Sequence, residues 1–169
     1  MRFEALILTK HIHICEIIIV RKNKGGFNMA AAVKKMANDC SKAWNSHDVK
    51  KVLEFYTDDC VFEDLALGVV CHGKKEFTDQ INMLFTDIPD LKWEVKSAFG
   101  TNDWQGNDWI MSGTFAHSSI PGMPTTGKTF SVGQAGIYQL RNGKYSRETG
   151  YMNMVTFLQQ VGLMPGQPK

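Results

Sequence analysis

Two long strands and a tight turn are predicted by residues 128–152, which read KTFSVGQAGIYQLRNGKYSRETGYM. The dipeptide Asn142-Gly143 is the strongest two-residue hairpin signal in the chain, because both residues accept the positive φ angles of a tight turn. A regular register places three pairs of residues opposite each other: Leu140 with Tyr145, Tyr138 with Arg147, and Gln134 with Tyr151. The C-terminal half therefore predicts an antiparallel sheet.

Helices are predicted upstream of this hairpin. An apolar stripe over residues 33–44 has helical spacing, and a shorter one over residues 49–56 follows Asp48, a favourable N-cap residue. A third helix is predicted over residues 77–88, where Pro89 ends it. The chain thus begins with helices and continues with strands.

Further strands are predicted between the helices and the hairpin. They cover residues 60–67 after a turn at Asp58-Asp59, a short return strand at 69–71, residues 91–99 and residues 107–117. Residues 118–127 form a Pro/Gly-rich loop with the composition of a lid. The order of elements favours an α+β fold, in which helices pack on one face of a strongly bent antiparallel sheet that encloses a pocket.

Charge is distributed unevenly along the 169 residues. Residues 1–28 carry five basic and two acidic side chains, whereas residues 29–169 carry 14 basic and 15 acidic ones. The nearly neutral larger part gives no electrostatic reason to bind nucleic acid. No apolar run reaches the roughly 20 residues of a membrane helix. We expect residues 1–28 to be an extension outside the fold, Met29 to be the functional start, and residues 29–169 to form one domain.

The four cysteines, Cys15, Cys40, Cys60 and Cys71, include no C-x-x-C pair. In a chain of this length they predict buried, reduced thiols rather than a disulfide framework. The expected location is therefore the cytoplasm. Cys71-His72 lacks two further ligands at the spacing of a metal site, so no metal is expected.

Several segments occur in the order seen in a known family. They are AWNSHDVKKVLEFYTDDCVFED, GKKEF, IPDLKWEV, WIMSGT, GMPTTGKTFSV, NGKYSRETGYMN and LQQVGLMP. Over about residues 32–165 the chain resembles SnoaL-like proteins of the nuclear transport factor 2-like superfamily. The resemblance implies a cone-shaped α+β barrel with a hydrophobic cavity and a homodimer formed through the outer sheet face. Members include polyketide cyclases, ester cyclase-like proteins, ketosteroid isomerases and pure binding proteins, so the fold alone does not fix the function.

The resemblance also suggests roles for individual residues. The segment from Tyr56 to Asp64 resembles that of ketosteroid isomerases and places their general base at Asp64, while Cys40 stands where they carry an oxyanion-binding tyrosine. For the cyclases, the catalytic histidine and aspartate would fall at Gly136 and Gly150, and neither glycine can transfer a proton. The ester cyclase-like pattern matches at Arg147-Glu148 and Tyr151, with Asn153 in place of its usual aspartate.

Two carboxylates are the candidate catalytic groups. Asp64 is the first candidate and Glu148 the second. Adjacent strand residues point to opposite faces, so either Glu63 or Asp64, and either Arg147 or Glu148, enters the pocket. His117 is a proton shuttle or a solvated loop histidine. The candidate pocket residues are Trp44, Tyr56, Phe62, Trp109, His117, Arg147, Tyr151 and Asn153.

The leading functional hypothesis is an isomerase, lyase or cyclase that acts on a hydrophobic carbonyl compound by acid–base chemistry. No phosphate loop, dinucleotide fingerprint or nucleophile elbow is found, and no cofactor is expected. One alternative is a non-catalytic binding protein for a hydrophobic small molecule. Another is a protein-interaction module that uses the outer sheet face.

Overall fold

A computed structural model describes residues 29–166. The prediction for residues 1–28 lies outside the described residues. The described residues 29–166 contain four helices and six strands, in chain order α1 (Met29–Asn45), α2 (Val49–Leu53), β1 (Tyr56–Asp64), β2 (Val69–His72), α3 (Gly73–Asp87), β3 (Lys92–Gly100), β4 (Trp104–Thr114), β5 (Thr129–Arg141), β6 (Lys144–Met152) and α4 (Met154–Gln160). The predicted α+β class is confirmed.

The six strands form one sheet in the order β2-β1-β6-β5-β4-β3. All neighbouring strands are antiparallel except β1 and β6, which are parallel. The expectation of a wholly antiparallel sheet was therefore wrong at this one pairing. The parallel pairing arises because β1 joins the sheet beside β6, a strand far away in sequence. The helices and strands between them form the long crossover that a parallel pair requires.

Helix α1 is fixed to the sheet by apolar and polar contacts. It buries one stripe, including Val33, Cys40 and Trp44, as its spacing predicts. Near its end, the Ser41 hydroxyl donates to the carbonyl oxygen of Trp93 at 2.7 Å, and the Asn45 side chain bonds both the amide and the carbonyl of Trp93. The first helix therefore holds β3 in place.

The start of β1 differs from the prediction. Asp58 and Asp59 were expected to form a turn, but both lie within the strand, which begins at Tyr56. Their carboxylates are exposed and pair with Lys74 and Arg141, respectively. Since the two charges find solvent and cationic partners, the strand accommodates them without a turn.

A β-bulge interrupts the pairing of β5 with β6. Leu140 pairs with Tyr145 as predicted, but Gln139 pairs with Arg147, which leaves Ser146 as an extra residue on β6. The Ser146 hydroxyl donates to the carbonyl oxygen of Gln139 at 3.1 Å. Beyond the bulge every predicted pair is shifted by one residue.

Two clusters of buried side chains make up the core. One surrounds Trp44, Tyr56 and Phe77, and the other surrounds Phe115 and Phe157. Both lie against the concave face of the sheet, so the space between them faces the helices. Within residues 29–166, no helix is long and apolar enough to cross a membrane.

Candidate functional site

A cavity of about 320 Å³ lies between the concave sheet face and the helices. This volume is at the lower end of the range for small-molecule sites. Helices α1 and α3 and the loop over residues 118–127 all contribute to its walls. The lining is largely apolar and aromatic, and the aromatic members are Trp44, Phe62, Phe77, Trp93, Trp109, Phe115, Tyr138 and Phe157.

Glu148 brings a carboxyl group into this apolar lining from β6. It pairs with Phe62 of β1 on one side and with Tyr138 of β5 on the other. The residue is only 7% exposed, and its Oε2 accepts a hydrogen bond from the buried Tyr56 hydroxyl. The cavity wall therefore contains the buried carboxyl of Glu148, which is held in position by the phenol of Tyr56.

The environment of Glu148 brings its titration into the neutral range. Burial raises the pKa of Glu148 from 4.5 to about 7, and the negative charge of Asp64 acts in the same direction. The hydroxyls of Tyr56 and Tyr138 oppose this rise in the pKa by hydrogen bonding. With a pKa close to neutral pH, the group can both accept and release a proton.

Asp64 also lines the cavity, at the end of β1. Its Oδ1 accepts hydrogen bonds from the backbone amides of Ala66 and Leu67 at 2.9 and 3.1 Å, so it caps the turn towards β2. Burial raises the pKa of Asp64, while these two backbone hydrogen bonds lower it. The carboxyl of Asp64 thus binds backbone amides and has a structural role in the turn, whereas the carboxyl of Glu148 is held by a hydrogen bond from another side chain.

The bulge at Ser146 decides which face Arg147 and Glu148 occupy. Because a shift of one residue exchanges the two faces of a strand, Glu148 points inward and Arg147 points outward. Arg147 pairs with Glu63 at 2.6 Å on the outer face, and Tyr151 is 45% exposed there. The placement of Arg147 and Tyr151 in the pocket was therefore wrong.

The remaining candidates fall into three groups. Trp44, Phe62 and Trp109 line the cavity, and Tyr56 contacts it only through Glu148. His117 is exposed at the start of the loop, outside the lining. Asn153 is the N-cap of α4, where its side chain accepts from the amide of Thr156 at 3.1 Å. His117 and Asn153 are thus not pocket residues, because a loop start and a cap hold them elsewhere.

A third carboxylate in the lining, that of Asp87, was not predicted. It is buried at the end of α3, and its two oxygens accept from the amide and the hydroxyl of Ser119, each at 2.8 Å. Ser119, Ile120 and Pro121 of the loop line the cavity beside it. An acidic residue before Ile88-Pro89 is not a sequence signal for such a contact. The contact depends on how the loop folds back against the end of α3.

The two glycines to which the resemblance assigns the cyclase histidine and aspartate lie opposite each other. Gly136 pairs with Gly150 across β5 and β6. A Cβ atom on Gly136 would lie 2.4 Å from the Tyr138 hydroxyl, and one on Gly150 would lie 3.3 Å from Nε2 of Gln134. The side chains of Tyr138 and Gln134 therefore occupy the space above both glycines.

Metal ligands are not grouped in the described part of the chain. Among residues 29–166, no group of three or more His, Cys, Asp or Glu side chains is placed to hold a metal ion. The polar side chains in the lining are three carboxyls, a phenol, two amides and a hydroxyl, and they suit proton transfer and hydrogen bonding to a ligand.

A bent six-stranded sheet, helices on its concave side and an apolar cavity with a buried carboxyl define a cone-shaped α+β pocket protein. The chain belongs to the SnoaL-like polyketide cyclase family, whose model matches residues 34–161. This result confirms the resemblance found in the sequence. A comparison with curated proteins finds no match.

Solved structures share the fold. AclR, a putative hydroxylase from Streptomyces galilaeus, has a TM-score of 0.69 at 21% identity, over 83% of this chain and 87% of AclR. IdmH, a putative polyketide cyclase from Streptomyces antibioticus, has a TM-score of 0.65 at 20% identity, over 76% and 97%. A hypothetical protein with a ketosteroid isomerase-like fold from Catenulispora acidiphila, in complex with trimethylamine, has a TM-score of 0.64 at 19% identity, over 79% of this chain and 97% of that protein. At these identities the likeness concerns the fold alone.

Proposed function

We propose that this protein binds a hydrophobic carbonyl compound in its cavity and catalyses proton transfer on it without a cofactor, as an isomerase, lyase or cyclase. The observation that carries the proposal is Glu148, a buried carboxyl with a pKa of about 7 in a largely apolar lining. Titratable groups with such shifts are concentrated at catalytic sites. Family membership is consistent with carbonyl chemistry but does not identify the substrate.

The proposed step begins with ionised Glu148. Its carboxylate removes a proton from the carbon next to the substrate carbonyl, and the electron pair forms the enolate of that carbonyl. The protonated Glu148 then returns the proton at another position, or to a leaving group. Tyr56 orients the carboxyl by donating to Oε2 throughout.

Solvent deuterium reports this step without knowledge of the final product. A panel of hydrophobic ketones is incubated with the protein in D₂O, and deuterium incorporation is followed by mass spectrometry. We expect exchange that rises with pH through about 7, where the pKa of Glu148 lies. The Glu148→Gln variant should lose about 10²- to 10⁴-fold of the exchange rate, the typical contribution of a general base.

Glu63→Gln is the matched control, because Glu63 lies on the neighbouring strand but pairs with Arg147 on the outer face. It should leave the exchange unchanged. Asp64→Asn tests the first candidate base: a loss as large as that of Glu148→Gln would assign the base to Asp64. Exchange that is equal in wild type and all three variants would refute catalysis by either carboxyl.

Binding without turnover is the second candidate function. It is favoured by Gly136 and Gly150, which stand where the resemblance places the catalytic histidine and aspartate of the cyclases. Ligands that stabilise wild type and Glu148→Gln equally, without deuterium exchange in either, would support it.

The proposed assembly is a homodimer through the outer sheet face. Four large apolar side chains are exposed on this face: Phe99, Trp104, Ile137 and Tyr151. Exposed apolar clusters of this kind are typical of interaction sites. Light scattering should give the mass of a dimer for the wild type and of a monomer for Ile137→Asp. The third functional alternative, an interaction module, would use the same face for a different protein.

The proposed location is the cytoplasm. Cys40, Cys60 and Cys71 are buried free thiols, which supports a reducing environment. Fractionation of the cells that express the natural protein would test the location.

A further inference from the structure

The acidic groups of the cavity are not matched by basic ones. Asp64, Asp87 and Glu148 line it, together with the neutral phenol of Tyr138, and no lysine, arginine or histidine among residues 29–166 belongs to the lining. The hydrogen bonds found for the three carboxyls come from neutral donors: backbone amides for Asp64, Ser119 for Asp87 and Tyr56 for Glu148. Within residues 29–166, none of the three takes part in an ion pair.

Basic side chains are instead paired elsewhere on the molecule. Glu63, the neighbour of Asp64 in β1, pairs with Arg147 on the outer face. Asp58 and Asp59, at the start of the same strand, pair with Lys74 and Arg141. The fold therefore gives the exposed and outer-face carboxylates of this strand a cationic partner, whereas Asp64 in the cavity lining has none within residues 29–166.

The walls around these carboxyls suit a cation. Three indole rings line the cavity, those of Trp44, Trp93 and Trp109, and the electron-rich faces of such rings attract ammonium groups. An anion would meet like charge in a poorly hydrated space, where electrostatic repulsion is stronger than in water. The negative charge of Asp64, on the neighbouring strand, already raises the pKa of Glu148 and so disfavours its ionisation.

We propose that the natural ligand of this cavity is a hydrophobic molecule that carries a protonated amine, bound beside Asp64 and Glu148, and that the cavity rejects carboxylates. The inference rests on the proposed function, since it narrows the carbonyl substrate to an amine-bearing one. It is independent of which carboxyl acts as the base.

Three ligands with one skeleton test the proposal: 1-adamantanamine, 1-adamantanol and adamantane-1-carboxylate. They carry a cation, no charge and an anion on the same apolar cage. Dissociation constants are measured on the full chain through tryptophan fluorescence, since three of its four tryptophans line the cavity. We expect the amine to bind about tenfold more tightly than the alcohol, and the carboxylate to bind about tenfold more weakly than the alcohol.

The pH dependence identifies the groups responsible. The amine stays protonated between about pH 6 and pH 8, whereas Glu148 ionises near pH 7, so the ratio of amine to alcohol affinity should rise across this range. Glu148→Gln should abolish the rise, and Asp64→Asn should reduce the amine preference at every pH. Asp103→Asn removes an exposed carboxylate in the turn between β3 and β4 and should change neither.

Equal affinity for the three ligands, or tightest binding of the carboxylate, would overturn the amine preference. Deuterium exchange into neutral ketones by the wild type, but not by Glu148→Gln, would then still support the proposed function. An amine preference that persists in the double variant Asp64→Asn/Glu148→Gln would also overturn the inference, because the preference would not come from these carboxyls.

Discussion

Replacing Glu148 by glutamine should change how the stability of the protein depends on pH. Glutamine has nearly the shape of a protonated glutamic acid and can still accept the hydrogen bond from Tyr56. It carries no charge at any pH, however. The variant therefore removes the free-energy cost of ionising a carboxyl at this buried position and leaves the packing almost unchanged.

The size of the effect follows from the two pKa values of Glu148. Burial raises the pKa from 4.5 to about 7 in the folded chain. One pKa unit corresponds to about 1.4 kcal/mol, so the difference corresponds to about 3 kcal/mol. Between the two values the folded chain binds more protons than the unfolded chain, so the free energy of unfolding falls as the pH rises. The contribution of Glu148 is fully present below pH 4.5 and lost as the pH passes about 7.

Urea unfolding of both proteins, followed by tryptophan fluorescence from about pH 4 to about pH 8.5, measures this difference. Other titrating groups are shared, so they largely cancel when the wild-type free energy of unfolding is subtracted from that of Glu148→Gln. We expect the stability advantage of the variant to grow by about 3 kcal/mol over this range. Glu63→Gln is the control and should show no growth. A difference that is flat with pH, or that falls, would refute the raised pKa of Glu148.

Three further predictions concern the surroundings of Glu148. In Tyr56→Phe the loss of a hydrogen bond that lowers the pKa of Glu148 should move the pH profile of deuterium exchange to higher pH; an unshifted profile would show that Tyr56 does not orient the base. Ser119→Ala removes one of the two bonds to Asp87 and should speed both proteolysis within residues 118–127 and ligand release; unchanged rates would argue against a lid. Gly136→Ala should cost about 1–3 kcal/mol in urea unfolding, because the new methyl group meets the buried Tyr138 ring. Gly106→Ala should cost less, because it meets the exposed ring of Phe99, and equal costs would contradict this reasoning.

Local signals in the sequence were sufficient for most of the fold. The apolar stripe ending at Trp44, the cap at Asp48 and the stop at Pro89 act within one or two turns of a helix, and all three helices were predicted in the right place in the chain. The stripe over residues 49–56 was wrong at its end, because α2 stops at Leu53 and Tyr56 begins β1. The turn at Asn142-Gly143 forms with positive φ at both residues. Where the prediction was wrong, at Asp58-Asp59 and at the parallel pairing of β1 with β6, the cause was a partner distant in sequence.

The candidate site was harder to predict because one extra residue in β6, Ser146, decides which side chains of that strand face the cavity. Residues 144–149 contain no glycine or proline to mark a bulge at Ser146, and a regular hairpin would have placed Arg147 inside. The serine hydroxyl bonds the opposite strand, and this contact is visible only once the strands are paired. Alternation along β6 correctly required that Arg147 and Glu148 face opposite ways, but it could not say which one faces inward.

The same register explains how a family member without the expected histidine and aspartate can still hold acid–base groups. Gly136 and Gly150, to which the resemblance assigns those residues, are paired with each other, and so are Tyr138 and Glu148. On its own strand, Tyr138 or Glu148 lies two residues nearer the Asn142-Gly143 turn than the glycine does. This is the next position that faces inward, about 7 Å from the glycine. The Tyr138–Glu148 pair thus lies one inward row away from the two glycines, and the glycines leave the space that the Tyr138 ring fills. If this displaced pair does the chemistry, restoring a side chain at Gly136 should harm the site rather than repair it, because it would push Tyr138 away from Glu148.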